Sequence, residues 1–499
     1  MDLFANLAHG FGVALTFNNL LFCLIGCIIG TAIGVLPGIG PVATISLLLP
    51  ITFGQPATTA IIMLAGIYYG AQYGGSTTAI LLNLPGEVSS VVTTLEGYKM
   101  ARRGRAGAAL TVAALASFFA GCVSTILVAA SGPLLTSVAL SFGPADYFSL
   151  MMLGLIISAV LAQGSVVKSI GMVVFGVALG LVGTDVQTGQ QRFTFGIPEL
   201  SDGVGFVSIA MGMFGIAEII LNLERPEARN VMSGKVGSLM MTREEVRRAI
   251  PSVLRGTTVG SLLGILPGGG AALSSFGSYM MERKISKGRH EFGTGAIEGV
   301  AGPEAANNAA SQTSFIPLLT LGIPANAVMA LMVGALIIQG IQPGPRMVEA
   351  QPDLFWGLIA SMWLGNLMLL VINLPMIGLW VKLLAVPYRH MYPSILIFCA
   401  IGVYSLQNNV FDVYQTVFFG LFGYLCSKLR LEPAPMLIGF VLGPMMEEHL
   451  RRAMLLSRGD PMVFIQRPIS ATMLAIGAIA LIAMLLPNIR KGKDKALQE

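Results

Sequence analysis

Apolar runs dominate this chain, and their lengths fall into two classes. Those at 12–36, 107–130, 146–163, 167–183, 204–223, 354–382 and 469–487 are near the ~20 residues an α-helix needs to cross a bilayer. Between them lie shorter runs interrupted by glycine and proline: 41–50, 57–70, 76–84, 252–266, 305–322, 326–340, 394–406, 411–427 and 433–443. These are too brief to cross alone. They read as broken helices, half-helices or re-entrant hairpins buried within protein. The pattern predicts an all-α polytopic membrane protein with roughly 10–14 membrane elements.

Composition narrows the function classes. Of 499 residues, 30 are Lys or Arg and 25 are Asp or Glu, so 11% are charged and 54% hydrophobic. A soluble protein averages about 25% charged residues. A soluble enzyme, a nucleic-acid binder and a disordered scaffold are excluded. Basic residues cluster between apolar runs, as in cytoplasmic loops. Residues 1–98 contain neither Lys nor Arg, so the basic region of a cleavable signal is missing and the first apolar run is expected to persist. The longest polar stretch, 224–252, carries Arg225, Arg229, Lys235, Arg243, Arg247 and Arg248. It reads as a cytoplasmic linker between membrane halves at 1–223 and 253–499. Within it, Thr242 and Glu245 form a capping box that should open a short surface helix. The basic tail at 490–495 places the C-terminus in the cytoplasm.

A repeat is the strongest signal. Gly30, Gly34, Pro37, Gly38 and Gly40 recur 230 residues later as Gly260, Gly264, Pro267, Gly268 and Gly270. Further on, the segment from Tyr73 through Ser76 and Asn83 to Pro85-Gly86 corresponds to Asn308 through Ser311 and on to Pro324-Ala325, with Ser76 set against Ser311. Loop charge then orients the copies. After the first motif, 51–56 is uncharged, whereas 281–291 carries Arg283, Lys284, Lys287 and Arg289. After the second, the bias reverses: Lys99, Arg102, Arg103 and Arg105 stand against Arg346 alone. Positive charge marks the inside, so the copies are expected to be inverted-topology repeats, as in secondary transporters.

The broken segments supply candidate chemistry. Proline removes a helix hydrogen bond, and the adjacent glycines unwind at small steric cost. Freed carbonyls around Gly34, Pro37, Gly38 and Gly40, with Gly264, Pro267, Gly268 and Gly270, can hold a cation, together with Thr78 and Thr313. Ser76, Thr77, Asn83, Asn307, Asn308 and Ser311 offer neutral ligands to substrate. Helices restarting after Pro85-Gly86 and Pro324-Ala325 direct N–H groups inward, an arrangement that favours anions. The competing reading is that Gly-Pro breaks are packing kinks. Glu304, in an apolar-flanked polar run, is a functional candidate by its depth or else a helix-end residue. Glu87 and Glu298 are open in the same way, and Glu218 reads as snorkelling to the surface.

Other chemistries lack their residues. No Walker A motif is present, since Ser233-Gly234-Lys235-Val236 lacks the upstream glycine and the hydroxyl. No zinc motif or nucleophile elbow occurs. Cys23 and Cys27 lie one turn apart but have no companion ligands, and they read as core thiols. Neither a cofactor nor a catalytic residue is expected, and no metal beyond a coupling Na⁺. Transport energy must come from an ion gradient or a partner.

The segments GTAIGVLPGIGP (30–41), YYGAQYGGSTTAILLNLPGE (68–87) and EGYKMARRGRAGAAL (96–110) resemble the large membrane component, TctA, of tripartite tricarboxylate transporters. So do GILPGGGAALSSFGSYMMERK, AIEGVAGPEAANNAA and PLLTLGIPA in the second copy. The resemblance covers nearly the whole chain. It implies a multi-pass permease of the bacterial inner membrane and a secondary transporter for citrate-like organic acids, coupled to Na⁺ or H⁺. It implies two protein partners, a periplasmic solute-binding protein and a small membrane subunit. Ala325 departs from the glycine expected there, which bears on substrate identity. The rival readings are a stand-alone ion-coupled carboxylate permease and a channel.

Overall fold

The computed structural model describes residues 3–36, 40–139, 141–162, 165–185, 187–224, 237–266, 270–383 and 392–485. The described chain is almost wholly helical. Its strands, Gly183–Thr184 and Gln191–Arg192, form one small antiparallel hairpin. Six helical stretches among the described residues are long and apolar enough to cross a membrane: Phe17–Val35, Val88–Gly132, Pro144–Leu161, Phe206–Glu224, Pro352–Asn373 and Val410–Lys428. The chain is an all-α polytopic membrane protein.

Helices sort by what surrounds them. Val410–Lys428 turns Tyr414, Phe418, Leu421 and Leu425 outward, a face suited to lipid. Glu298–Thr313 is buried at every position, and Ala57–Leu82 is buried from Thr59 to Leu81. These two inner helices carry polar residues because other helices, not lipid, surround them.

Glycine sets how closely the inner helices are packed. Phe17–Val35 runs along Ala57–Leu82, and Arg243–Gly264 runs along Glu298–Thr313. A Cβ at Gly26, Gly30 or Gly34 would come within 3.0 Å of the backbone of Met63, Ile67 or Ala71. In the second pair, Gly256, Gly260 and Gly264 meet Gly302, Ala306 and Ala310 in the same way. Small residues spaced four apart let two backbones touch, so dispersion contacts replace the hydrophobic drive that lipid cannot supply. The duplicated motif therefore builds the same helix pair twice.

This packing corrects the register between the copies. Met63, Ile67 and Ala71 correspond to Gly302, Ala306 and Ala310, which sets Ser311 opposite Gln72 and not opposite Ser76. The same shift pairs Asn83 with Gly322, both left-handed at φ 60° and 74°, and Gly86 with Ala325. Backbone contact fixes the equivalence, whereas a match between short polar residues is easily displaced by a turn.

Element boundaries also differ from expectation. The runs 57–70 and 76–84 are one continuous helix, because Gly70, Gly74 and Gly75 are packing positions and not breaks. The run 12–36 is split, with Leu3–Ala14 ending before Phe17–Val35. Thr242 does cap a helix, accepting from the Glu245 N–H. That helix is no short surface piece but continues through Pro251 to Gly264. Pro37-Gly38 and Pro267-Gly268 lie outside the described residues, as do 225–236 of the linker and the tail from 486.

The helix that follows each Gly-Pro motif packs on the other copy. Pro41–Thr52, which follows the first break, packs on Ala327–Ile338 of the second copy. Gly270–Ile285, which follows the second, packs on Val88–Ser90 of the first.

Candidate functional site

Buried carboxylates are costly unless compensated, so their partners separate structural from functional ones. Glu282 takes two hydrogen bonds from Arg255, at 2.8 and 2.6 Å. Glu298 takes two from Arg248, both at 2.8 Å, which answers the open reading of Glu298: it is half of an ion pair. Arg248 also reaches Glu291 and holds that loop carboxyl below its ordinary range. Glu96 accepts from the Tyr279 hydroxyl at 2.8 Å and from the N–H groups of Gly293, Gly295 and Ala296. It anchors that loop.

Glu304 has no such partner among the described residues. It is 1% exposed on the inner helix Glu298–Thr313. Ser76 Oγ lies 2.6 Å from its Oε2, and the Thr93 hydroxyl reaches Oε1. Both groups are neutral and both come from the other copy. One turn on, Asn308 Nδ2 donates to Ser117 Oγ at 2.7 Å and to the Glu304 carbonyl at 3.1 Å. Glu304 is thus not at a helix end but nearly two turns inside a helix buried on every side.

Glu87 is the second carboxyl of this region. It stands at the N-cap of Val88–Ser90, half-buried, with Asn307 Nδ2 donating to its Oε1 at 3.3 Å and the Ser89 hydroxyl beside it. Ser89 Oγ also donates to Gln72 Oε1 at 3.0 Å. Asn307 Oδ1, Gln312 Oε1 and the Tyr73 hydroxyl are buried without a partner among the described residues. A narrow cleft lined by Tyr73, Ser76, Thr77, Ser117 and Asn373 reaches this polar centre.

The residues named from the sequence divide between this centre and the packing around it. Ser76, Thr77, Asn307 and Asn308 meet here. Ser311 donates to the Asn307 carbonyl at 2.9 Å. Asn83 and Pro85 are exposed on the bend that closes helix 57–82, and Gly86 lies against Gly34. Pro324 and Ala325 are buried just before Asn326, whose side chain caps Ala327–Ile338 by accepting from Met329 N–H at 2.9 Å. A Cβ added to the left-handed Gly270 would lie 3.5 Å from that Asn326 side chain.

Of the residues expected to hold a cation, Thr78 donates to the Val35 carbonyl at 2.7 Å and Thr313 to Ala309 at 3.1 Å. Gly34 and Gly264 are helix contacts, and Gly40 opens Pro41–Thr52 with free space around it. Thr93, Ser117, Gln72 and Tyr73 went unnoticed in the sequence. Ser117 sits in an apolar run and Thr93 in an amphipathic one, so only the need of Glu304 for donors could have pointed to them.

Family comparison agrees with this architecture. Residues 20–438 match the model of the tripartite tricarboxylate transporter TctA family. The chain belongs to that family. A relative from Agrobacterium vitis, called an uncharacterized 52.8 kDa protein in the TAR-I ttuC′ 3′ region, is 60% identical over 499 residues, covering 100% of this chain and 99% of the relative. A second from the same organism, an uncharacterized protein in the TAR-II ttuC′ 3′ region, is 61% identical over 240 residues, or 48% of this chain and 99% of the relative. No solved structure matches the chain. As a TctA-family chain it is a multi-pass membrane protein of a transporter family, not of an enzyme family.

Proposed function

We propose that this chain is the permease subunit of a secondary transporter importing tricarboxylates or similar organic acids across the bacterial inner membrane. A periplasmic solute-binding protein delivers the substrate and a small membrane subunit completes the complex. A cation gradient, Na⁺ or H⁺, drives uptake. The family's name supports the substrate class. The observation that carries the reading is the polar centre between the inner helices, where Glu304 of one copy meets Ser76 and Thr93 of the other. Ionisable groups at membrane depth, enclosed by protein at a repeat interface, are the working parts of transporters.

The opposed loop charges further support two inverted copies and alternating access between them. On this reading the substrate sits near Ser76, Thr77, Asn307 and Asn308, with its carboxylates toward the helix start at Asn326.

Uptake of labelled carboxylates by proteoliposomes holding the complex tests the proposal. Saturable uptake that needs both a cation gradient and the binding protein is expected. Equal uptake without the binding protein would favour a stand-alone permease, and flux that never saturates would favour a channel.

A further inference from the structure

Ser76 Oγ has one proton and two oxygens within reach: Glu304 Oε2 at 2.6 Å and the Gln72 carbonyl at 3.1 Å. A carbonyl only accepts. A carboxyl accepts when ionised and donates when protonated. With Glu304 ionised, the Ser76 proton turns to Oε2. With Glu304 protonated, Oε2–H donates to Ser76 Oγ, and the Ser76 proton turns to Gln72. Both states are fully hydrogen-bonded with no heavy atom displaced.

Among the described residues, no cation forms an ion pair with Glu304. Around helix 298–313, Arg248 and Arg255 are held by Glu291, Glu298 and Glu282, and Glu96 by Tyr279 and its loop. Tyr68, Tyr69 and Tyr73 on helix 57–82, Cys122 on Ala106–Ala139 and Glu87 carry no positive charge, and the remaining cations of the packed helices, Lys99, Arg243, Arg247, Arg283 and Lys284, are exposed and toward helix ends. The Tyr73 hydroxyl, on a residue 3% exposed, is unpartnered among the described residues and lines the same cleft as Ser76 and Ser117. A bound metal ion would need several oxygen lone pairs directed at it. Here the Ser76 and Thr93 hydroxyls can both turn their protons to the carboxylate.

We infer that Glu304 is the proton-carrying group of the transport cycle and that Ser76 is the hydroxyl that turns between Glu304 and Gln72 as the proton comes and goes. The inference rests on the transport reading above and names its coupling ion. Hydronium entering the cleft transfers a proton to Oε2, leaving water. On the opposite side the O–H bond breaks and water takes the proton away. Charge and atoms balance without a redox partner.

The test uses proteoliposomes holding the full complex, labelled tricarboxylate, and H⁺ and Na⁺ gradients imposed separately. The H⁺ gradient is expected to drive wild-type uptake. Glu304→Gln, checked for monodisperse elution, should lose the dependence of uptake on external pH, and Glu304→Asp should restore it in part. Wild-type uptake driven by Na⁺ alone, or a Glu304→Gln protein that follows pH like wild type, overturns the proton assignment and leaves the transport reading intact. Absence of uptake under either gradient overturns the transport reading, and the proton assignment falls with it. If Glu304→Gln does not fold, Ser76→Ala carries the test. It removes the turning hydroxyl and should shift the pH midpoint of uptake, and an unmoved midpoint overturns the role of Ser76 as the turning hydroxyl.

Discussion

Gly30 rests directly on the backbone of Ile67, so that a Cβ there would fall within 3.0 Å of the Ile67 carbonyl. Gly260 has the same relation to Ala306. Backbone cannot yield as a flexible side-chain end can, and overpacking typically costs about 1–3 kcal/mol. Gly30→Ala and Gly260→Ala should each lower the thermal midpoint of the detergent-solubilised protein. Gly12→Ala, where nothing lies within 4 Å, should leave it level or raise it, because alanine is the better helix former by up to ~1 kcal/mol. Equal midpoints for all three would show that the glycine stripes do not carry the helix contact.

The opposed charges of equivalent loops make a topological prediction. Gln55 follows the helix after the first break, and Lys287 follows the helix after the second. In a cysteine-free background, single cysteines at these positions should react with an impermeant thiol reagent from opposite faces of the membrane. Labelling of both from one face would mean a parallel duplication.

Span-length apolar runs and the doubled Gly-Pro motif were legible in the sequence because lipid and backbone contact constrain residue type directly. The register between copies was not. Ser76 and Ser311 look equivalent as letters, but the contact of Gly34 with Ala71 and of Gly264 with Ala310 decides otherwise. Thr78 looked like a ligand because it follows a Ser-Thr run, yet its hydroxyl goes to the Val35 carbonyl. The fate of a hydroxyl depends on which carbonyl lies one helix away, and no local pattern encodes that. Glu298 and Glu304 are also indistinguishable as letters. Arg248, fifty residues upstream of Glu298, makes one structural, and the lack of any such arginine leaves the other chemically available.

A pH test addresses the hairpin between the helices Val166–Gly180 and Phe206–Ala210. Asp185 accepts from Arg451 Nη2 at 2.7 Å and from the N–H groups of Gln187 and Thr188, both at 2.9 Å. Hydrogen bonding from Arg451 holds its carboxyl well below the usual range. A carboxyl lowered on folding stabilises above its unfolded pKa, about 3.9 for Asp, and that stability is lost as pH falls toward the folded value. Asp185→Asn should lower the thermal midpoint equally at pH near 7 and near 5, and the gap should narrow progressively as pH falls below roughly 4. A gap that persists unchanged into acid would mean that the turn is held by neutral hydrogen bonds.

The two helix starts proposed to face an anion are not alike. In the first copy the start carries Glu87, a carboxyl already seated at the N-cap. Its equivalent in the second copy is Asn326, a neutral cap beside Gly270. A helix start offers a carboxylate typically 0.3–1 kcal/mol when exposed and up to ~2 kcal/mol when partly buried, but at the first start the Glu87 carboxyl already occupies the place where an anion would sit. A carboxylate substrate is therefore expected at the Asn326 end. Asn326→Asp tests this with almost no change of shape, because Asp and Asn cap helices about equally well. The thermal midpoint should hold, while the added charge should weaken apparent substrate affinity at least about tenfold, or ~1.4 kcal/mol. Affinity can be read from the concentration dependence of uptake in proteoliposomes holding the complex. Unchanged affinity with an unchanged midpoint would move the anion away from this helix start and leave Asn326 as a cap alone.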